Sequence, residues 1–122
     1  DLYEPLDHSK TSFRLLQVLP TRSQEGHVQC KLFEASIEDW RRDYTCLSYV
    51  WGPPNESTNE HIVVINGKKH SGVDKKRQLY LQEPLWIDAL CIDQNNIGER
   101  SHQVSQMGEI YSHSKQVIAW LG

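Results

Sequence analysis

Two nearly continuous apolar runs constrain this chain more than anything else in it: Tyr44–Trp51 (YTCLSYVW) and Leu85–Ile92 (LWIDALCI). Both are rich in branched and aromatic side chains and lack two-residue alternation. Each therefore reads as a strand buried on both faces. A third run of the same kind, Gln116–Leu121 (QVIAWL), closes the chain. Between the last two, Asn96 and Glu99 fit a capping box opening a helix over 97–113. Along that helix Arg100, Val104, Met107 and Tyr111, joined by Ile110, recur at helical spacing as an amphipathic stripe. Strands joined through a helix pair in parallel by a right-handed crossover. The expected fold class is α/β, a mostly parallel sheet flanked by helices.

The N-terminal third alternates instead. Ser12–Leu19 runs to Pro20, Thr21–Gly26 is a polar turn, and His27–Phe33 places Val28, Cys30 and Leu32 on one face. This predicts an N-terminal β-hairpin. Ile37–Arg42 reads as a short polar link. Gly52-Pro53-Pro54 ends the first buried run, because proline cannot continue a ladder. After a polar loop, His61–Ile65 reads as a strand turning at Asn66-Gly67, a second hairpin. The stretch Ser71–Glu83 carries no clear pattern.

Composition narrows the function classes. At 122 residues the chain is expected to form one domain, 1–122. Thirteen Lys and Arg against sixteen Asp and Glu give a net charge of −3 with scattered signs. Without a basic stripe, nucleic acid is an unsuitable partner. Mean hydropathy of −0.62 and no apolar run near the ~18 residues a span needs exclude a transmembrane helix. Cys30, Cys46 and Cys91 are odd in number and form no CxxC, so they read as reduced, buried thiols in a reducing compartment, the cytosol or nucleus. The six histidines show no ligand spacing with them, and no metal is expected. The chain lacks an initiator Met and reads as an incomplete excerpt of a longer protein.

In a parallel sheet, ligands gather beyond the carboxyl ends of the strands. Two such ends are legible. One carries Ser48, Trp51 and Gly52; the other carries Asp88 and then Asp93 and Gln94, beside the helix start with Glu99 and Arg100. These eight residues are the ligand-pocket candidates; the helix N-terminus beside them offers free N–H groups to a phosphate, while Asp93 at the same place is favoured by the helix dipole and repels an anion. Each also has a structural reading. Ser48 reads as a buried hydroxyl or a nucleophile, and Trp51, Trp86 and Trp120 as core or as a stacking platform. Asp88, set in an apolar run, needs a partner such as Arg100 or else acts with Asp93 as an acid–base pair. Glu99 reads as a capping residue, with Gln103 one turn on.

Tyr44–Gly52 (YTCLSYVWG), Leu85–Gln94 (LWIDALCIDQ), Glu99-Arg100 with Gln103, Val104, Met107, Ile110 and Tyr111, and Val117–Gly122 (VIAWLG) closely resemble the heterokaryon incompatibility (HET) domain of filamentous fungi. The openings Tyr3–Leu6 and Arg14–Leu16 extend the resemblance over nearly the whole chain. It implies a cytoplasmic module that triggers programmed cell death when unlike fungal cells fuse, through self-association or protein partners. It further implies a distant likeness to Toll/interleukin-1 receptor (TIR) domains, with their flavodoxin-like fold. Some TIR domains cleave NAD with a glutamate on the helix after the strand corresponding to Val117–Leu121. That position falls beyond Gly122, so the catalytic residue is unknown. No cofactor is certain, and NAD enters as a candidate substrate only. The interval Gly72–Pro84 is shorter than the helix usual there in the family.

Overall fold

The computed structural model describes residues 3–49, 63–70 and 83–120. Among the described residues, seven strands form one sheet: β1 (Ser12–Arg22), β2 (Val28–Ser36), β3 (Thr45–Tyr49), β4 (Val63–Ile65), β5 (Lys68–His70), β6 (Leu85–Trp86) and β7 (Gln116–Trp120). Three helices lie between the last two strands: α1 (Asp88–Cys91), α2 (Ile97–Ser105) and α3 (Met107–Ser112). The strand order is β5-β4-β2-β1-β6-β3-β7. The α/β class holds, but the sheet is mixed rather than mostly parallel. Pairs β2–β4, β3–β6 and β3–β7 run parallel, whereas β1–β2, β1–β6 and β4–β5 run antiparallel. The cause is the N-terminal chain reversal: β1 enters the middle of the sheet against the direction of both its neighbours.

The strand β1 continues past Pro20 to Arg22, and its register with β2 breaks between Val18 and Arg22. Proline has no N–H to give a ladder, so the break falls where the chain cannot pair regularly. The β4–β5 turn uses Asn66 at φ 49° and Gly67 at φ 84°. Both central positions of this tight turn need the left-handed region, which asparagine and glycine tolerate. Asn66 also stitches the turn to β2, accepting from Leu32 N–H at 2.9 Å through Oδ1.

Two expected strands turn out differently. Only Leu85–Trp86 of the second apolar run is strand, and Asp88–Cys91 closes into a helical turn. Ile87, Leu90 and Cys91 are buried at helical spacing while Asp88 is exposed, so one turn satisfies the apolar run as well as a strand would. Among the described residues the third run is an edge strand, not one buried on both faces. Val117 is 51 % exposed, and Gln116 and Ala119 are exposed too.

The core joins both ends of the chain. Phe13, Leu15 and Leu16 of β1 are fully buried against Leu47, Leu85, Trp86, Ile87 and Ile110. The Trp86 ring lies in this core, edge-on to Tyr111 at 5.5 Å, so its structural reading holds. The Tyr44 hydroxyl donates to the Ile110 carbonyl and ties α3 to the entry of β3. All three cysteines are free and buried. Burial pushes the Cys30 and Cys46 thiols up to about 11 and Cys91 to about 12, which leaves them protonated and unreactive at neutral pH.

Candidate functional site

Strands β6, β3 and β7 are adjacent and parallel, so their carboxyl ends lie at one end of the sheet. Ser48 sits in β3 opposite Ala119 of β7, and Asp88 opens α1 two residues after β6. Trp51 and Gly52 lie outside the described residues. Asp88 is exposed and Asp93 half-buried, and Gln94 donates from Nε2 to the Asp88 carbonyl at 2.9 Å. Asn95 N–H in turn donates to Asp93 Oδ1 at 3.2 Å. A short polar loop is thus folded upon itself at the start of α2.

What holds that loop is an ion pair with Glu99. Its carboxylate accepts from Arg14 Nη1 and Nη2, both at 2.6 Å, and from the Asp93 N–H at 2.6 Å. Only 1 % of Glu99 and 3 % of Arg14 is exposed. Arg14 also donates to the carbonyls of Glu4 at 2.6 Å and Cys91 at 3.3 Å, and its guanidinium stands 4.8 Å over the Tyr3 ring. A bidentate, fully hydrogen-bonded pair is the form in which buried charge is tolerated. Burial alone would raise the Glu99 carboxyl. The Arg14 hydrogen bonds and the Asp93 N–H outweigh it and hold the group below the usual carboxylate range. The Tyr3 hydroxyl is pushed up to about 12, chiefly by burial, and donates to the Leu90 carbonyl at 2.9 Å.

This arrangement corrects two expectations. Arg100 is exposed, and among the described residues no ion pair joins it to the equally exposed Asp88. The buried carboxylate is Glu99, and its partner is Arg14, which sequence reasoning missed. The capping box is half present: Asn96 Oδ1 accepts from Glu99 N–H at 3.0 Å, but the Glu99 side chain goes to Arg14 instead of returning to the cap. One signal for Arg14 was available, a lone charge inside the apolar run Ser12–Leu16.

The helical stripe is also displaced by one residue. The buried face runs Glu99, Gln103, Gln106 and Ile110, while Arg100 and Val104 point outward. Gln106 has left helical geometry at φ −110°, ψ 9°, which splits the expected 97–113 helix into α2 and α3. Gln103 and Gln106 both donate from Nε2 to the Ser12 carbonyl, at 2.9 and 2.7 Å. The seam between helix and sheet is therefore polar, and an apolar stripe could not locate it.

A pocket of about 370 Å³ is lined by Arg14 together with Glu4, Leu32, Glu34 and Asn66 among others. Among the described residues, none of the candidates lines it. Among the described residues, no group of three or more His, Cys, Asp or Glu side chains is placed to hold a metal ion. Nor is any described helix long and apolar enough to cross a membrane.

Chemically, the loop offers exposed hydrogen-bonding groups on a rigid support, and its buried acid is fully engaged in holding that support. No solved structure matches the chain. Heterokaryon incompatibility protein 6, OR allele, of Neurospora crassa is 31% identical over 137 residues, covering 96% of this chain and 20% of that protein. The chain thus spans about a fifth of the relative's length. The alignment is longer than the chain's 122 residues, so the relative carries residues this chain lacks. The family described as Heterokaryon incompatibility protein (HET) matches residues 44–122. With well over half of its length matched, the chain belongs to the heterokaryon incompatibility (HET) family.

Proposed function

We propose that this chain is the HET module of a larger fungal protein and serves heterokaryon incompatibility in the cytoplasm, by self-association or by binding a protein partner, on a path to cell death. The family match over residues 44–122 is the observation that carries this reading. The geometry supports a binding role. Asp88, Gln94 and Asn95 offer donors and acceptors to a partner, and the Glu99–Arg14 pair keeps them in place. Preformed polar loops of this kind bind with little ordering cost.

One observation favours a second reading, a TIR-like NAD glycohydrolase on a flavodoxin-like core. The carboxyl ends of β6, β3 and β7 point the same way, where α/β sheets collect nucleotides. Its catalytic acid would come from residues outside this chain, because Glu99 is committed to Arg14.

The deciding experiment expresses the parent protein in a fungal host, with and without Asp88→Ala and Gln94→Ala, and scores viability and nicotinamide release. Loss of viability without nicotinamide release is expected, and weakened by the loop variants. A viable host containing the folded protein would refute the death-signalling reading. Nicotinamide release would favour the enzyme.

A further inference from the structure

Before β1 begins, residues 3–10 are tied to the Arg14–Glu99 pair and to α2. At one end the Tyr3 ring lies against the Arg14 guanidinium, its hydroxyl donates to the Leu90 carbonyl, and the Glu4 carbonyl accepts from Arg14. Leu6, in the middle, is buried. The other end rests on one histidine of α2. His102 Nε2 lies 3.2 Å from the Lys10 carbonyl, and the His8 ring stacks on His102 with centroids 4.6 Å apart. His102 Nδ1 lies 3.1 Å from Nε2 of Gln103, the same nitrogen that donates to the Ser12 carbonyl.

These partners fix the proton on the His102 ring. A carbonyl only accepts, so Nε2 carries the hydrogen; an amide nitrogen only donates, so Nδ1 is bare. The ring is the neutral Nε2–H tautomer. A further proton has to enter at Nδ1, where it faces the Gln103 N–H. Turning the Gln103 amide over gives no relief, because Oε1 would then meet the Ser12 carbonyl. As it stands, Oε1 is buried with no hydrogen-bond partner among the described residues. The surrounding charges offer the proton little. Asp7 is engaged by Ser9 and Lys10, Glu38 by Thr11 and Glu99 by Arg14. Among the described residues no carboxylate forms an ion pair with His102. Lys10 on the segment, Arg100 on α2 and the stacked His8 ring, once protonated, all carry like charge.

We propose that residues 3–10 form a pH-sensitive strap across the Arg14–Glu99 pair, fastened by neutral His102 and released when that ring takes a proton at Nδ1. Histidine is the side chain that ordinarily changes charge between about pH 5 and 8, so the strap is closed above that window and opens within it. Glu99 stays ionised there, since Arg14 holds its carboxyl below the usual range, and the opening is therefore not its doing. Release bares Leu6 and frees one side of the support beneath the candidate loop. The device is independent of the incompatibility role.

NMR on the 122-residue chain tests this. Nitrogen-15 imidazole spectra at about pH 7.5 should show His102 as the neutral Nε2–H tautomer. As the solution is taken to about pH 5.5, the Leu6 methyl signals should move toward their unfolded positions in step with the His102 ring. The open fraction should rise by about tenfold, the equivalent of one lost hydrogen bond. His102→Gln keeps an N–H for the Lys10 carbonyl and has no titrating ring, so its Leu6 signals should stay in place; circular dichroism checks that it is folded. An Nδ1–H tautomer in the wild type would overturn the proposal without any variant. So would Leu6 signals that do not follow the His102 titration, or that move equally in His102→Gln. Each of these results leaves the incompatibility role standing.

Discussion

Residues 44–122 carry the family match, yet residues 3–43 supply the middle of the sheet they fold into. Strand β1 lies between β2 and β6, so without it β4 and β5 have no connection to β6, β3 and β7 through the sheet. The charge balance is divided in the same way. Glu99 belongs to the matched region, and its counter-ion Arg14 does not. The boundary of a recognisable sequence family is therefore not the boundary of a stable unit here. The family match bears the candidate loop, and the strands that stabilise it precede that match, within the stretch that the Neurospora relative also covers.

Truncation breaks the comparison most directly. A chain of residues 44–122 alone loses Phe13, Leu15, Leu16, Val28, Cys30 and Leu32 from the core, along with Arg14. It should show no cooperative urea transition by tryptophan fluorescence, whereas the whole chain should. A cooperative transition in the fragment would mean that the N-terminal strands are dispensable. Next in size is the joint between the two parts. Arg14→Met should cost roughly 3–5 kcal/mol by leaving the Glu99 charge buried without a partner. Combining it with Glu99→Met should recover part of that loss in a double-mutant cycle.

Acid sharpens the same joint. The Glu99 carboxyl is held below its ordinary range in the fold, so its stabilising contribution is complete above the unfolded value and is lost as pH falls through the lower folded one. Urea midpoints taken on descending pH should fall less steeply for Glu99→Gln than for the wild type.

Smaller effects locate the remaining supports. Asn96→Ala should cost about 1 kcal/mol by removing the cap on α2, measured by the shift in thermal midpoint. Arg100→Met and Asp88→Ala should each stay within about 0.5 kcal/mol, since both residues are exposed. A loss of several kcal/mol at Arg100 would show that the arginine beside Glu99 in sequence, not the one in β1, carries the pairing.

The contrast between those two arginines explains how much was legible in advance. Arg100 is the partner expected for Asp88, twelve residues before it, but α2 turns it to solvent. Arg14 reaches Glu99 from 85 residues away, a distance that no local pattern spans. The helical stripe held at Met107, Ile110 and Tyr111, which pack into the core, and failed at Arg100 and Val104 for a related reason. Apolar spacing marks the buried face only when the facing surface is apolar, and here α2 meets a backbone carbonyl at Ser12 and a guanidinium at Arg14. The residues Asp88, Asp93 and Gln94 follow β6 within one short stretch of chain, where Gln94 donates to the Asp88 carbonyl and Asn95 N–H to Asp93, contacts of short sequence range.

By itself the sequence determined the local elements. Alternation in Val28–Leu32, the apolar run at Tyr44, the Asn66-Gly67 turn and the Asn96 cap each act through forces between near neighbours. Only the tertiary structure decided the direction and order of the strands, which apolar run became an edge, and which charge met Glu99. Those outcomes depend on desolvation by partners distant in the chain. A buried carboxylate in particular is tolerable only where the assembled fold brings a cation to it.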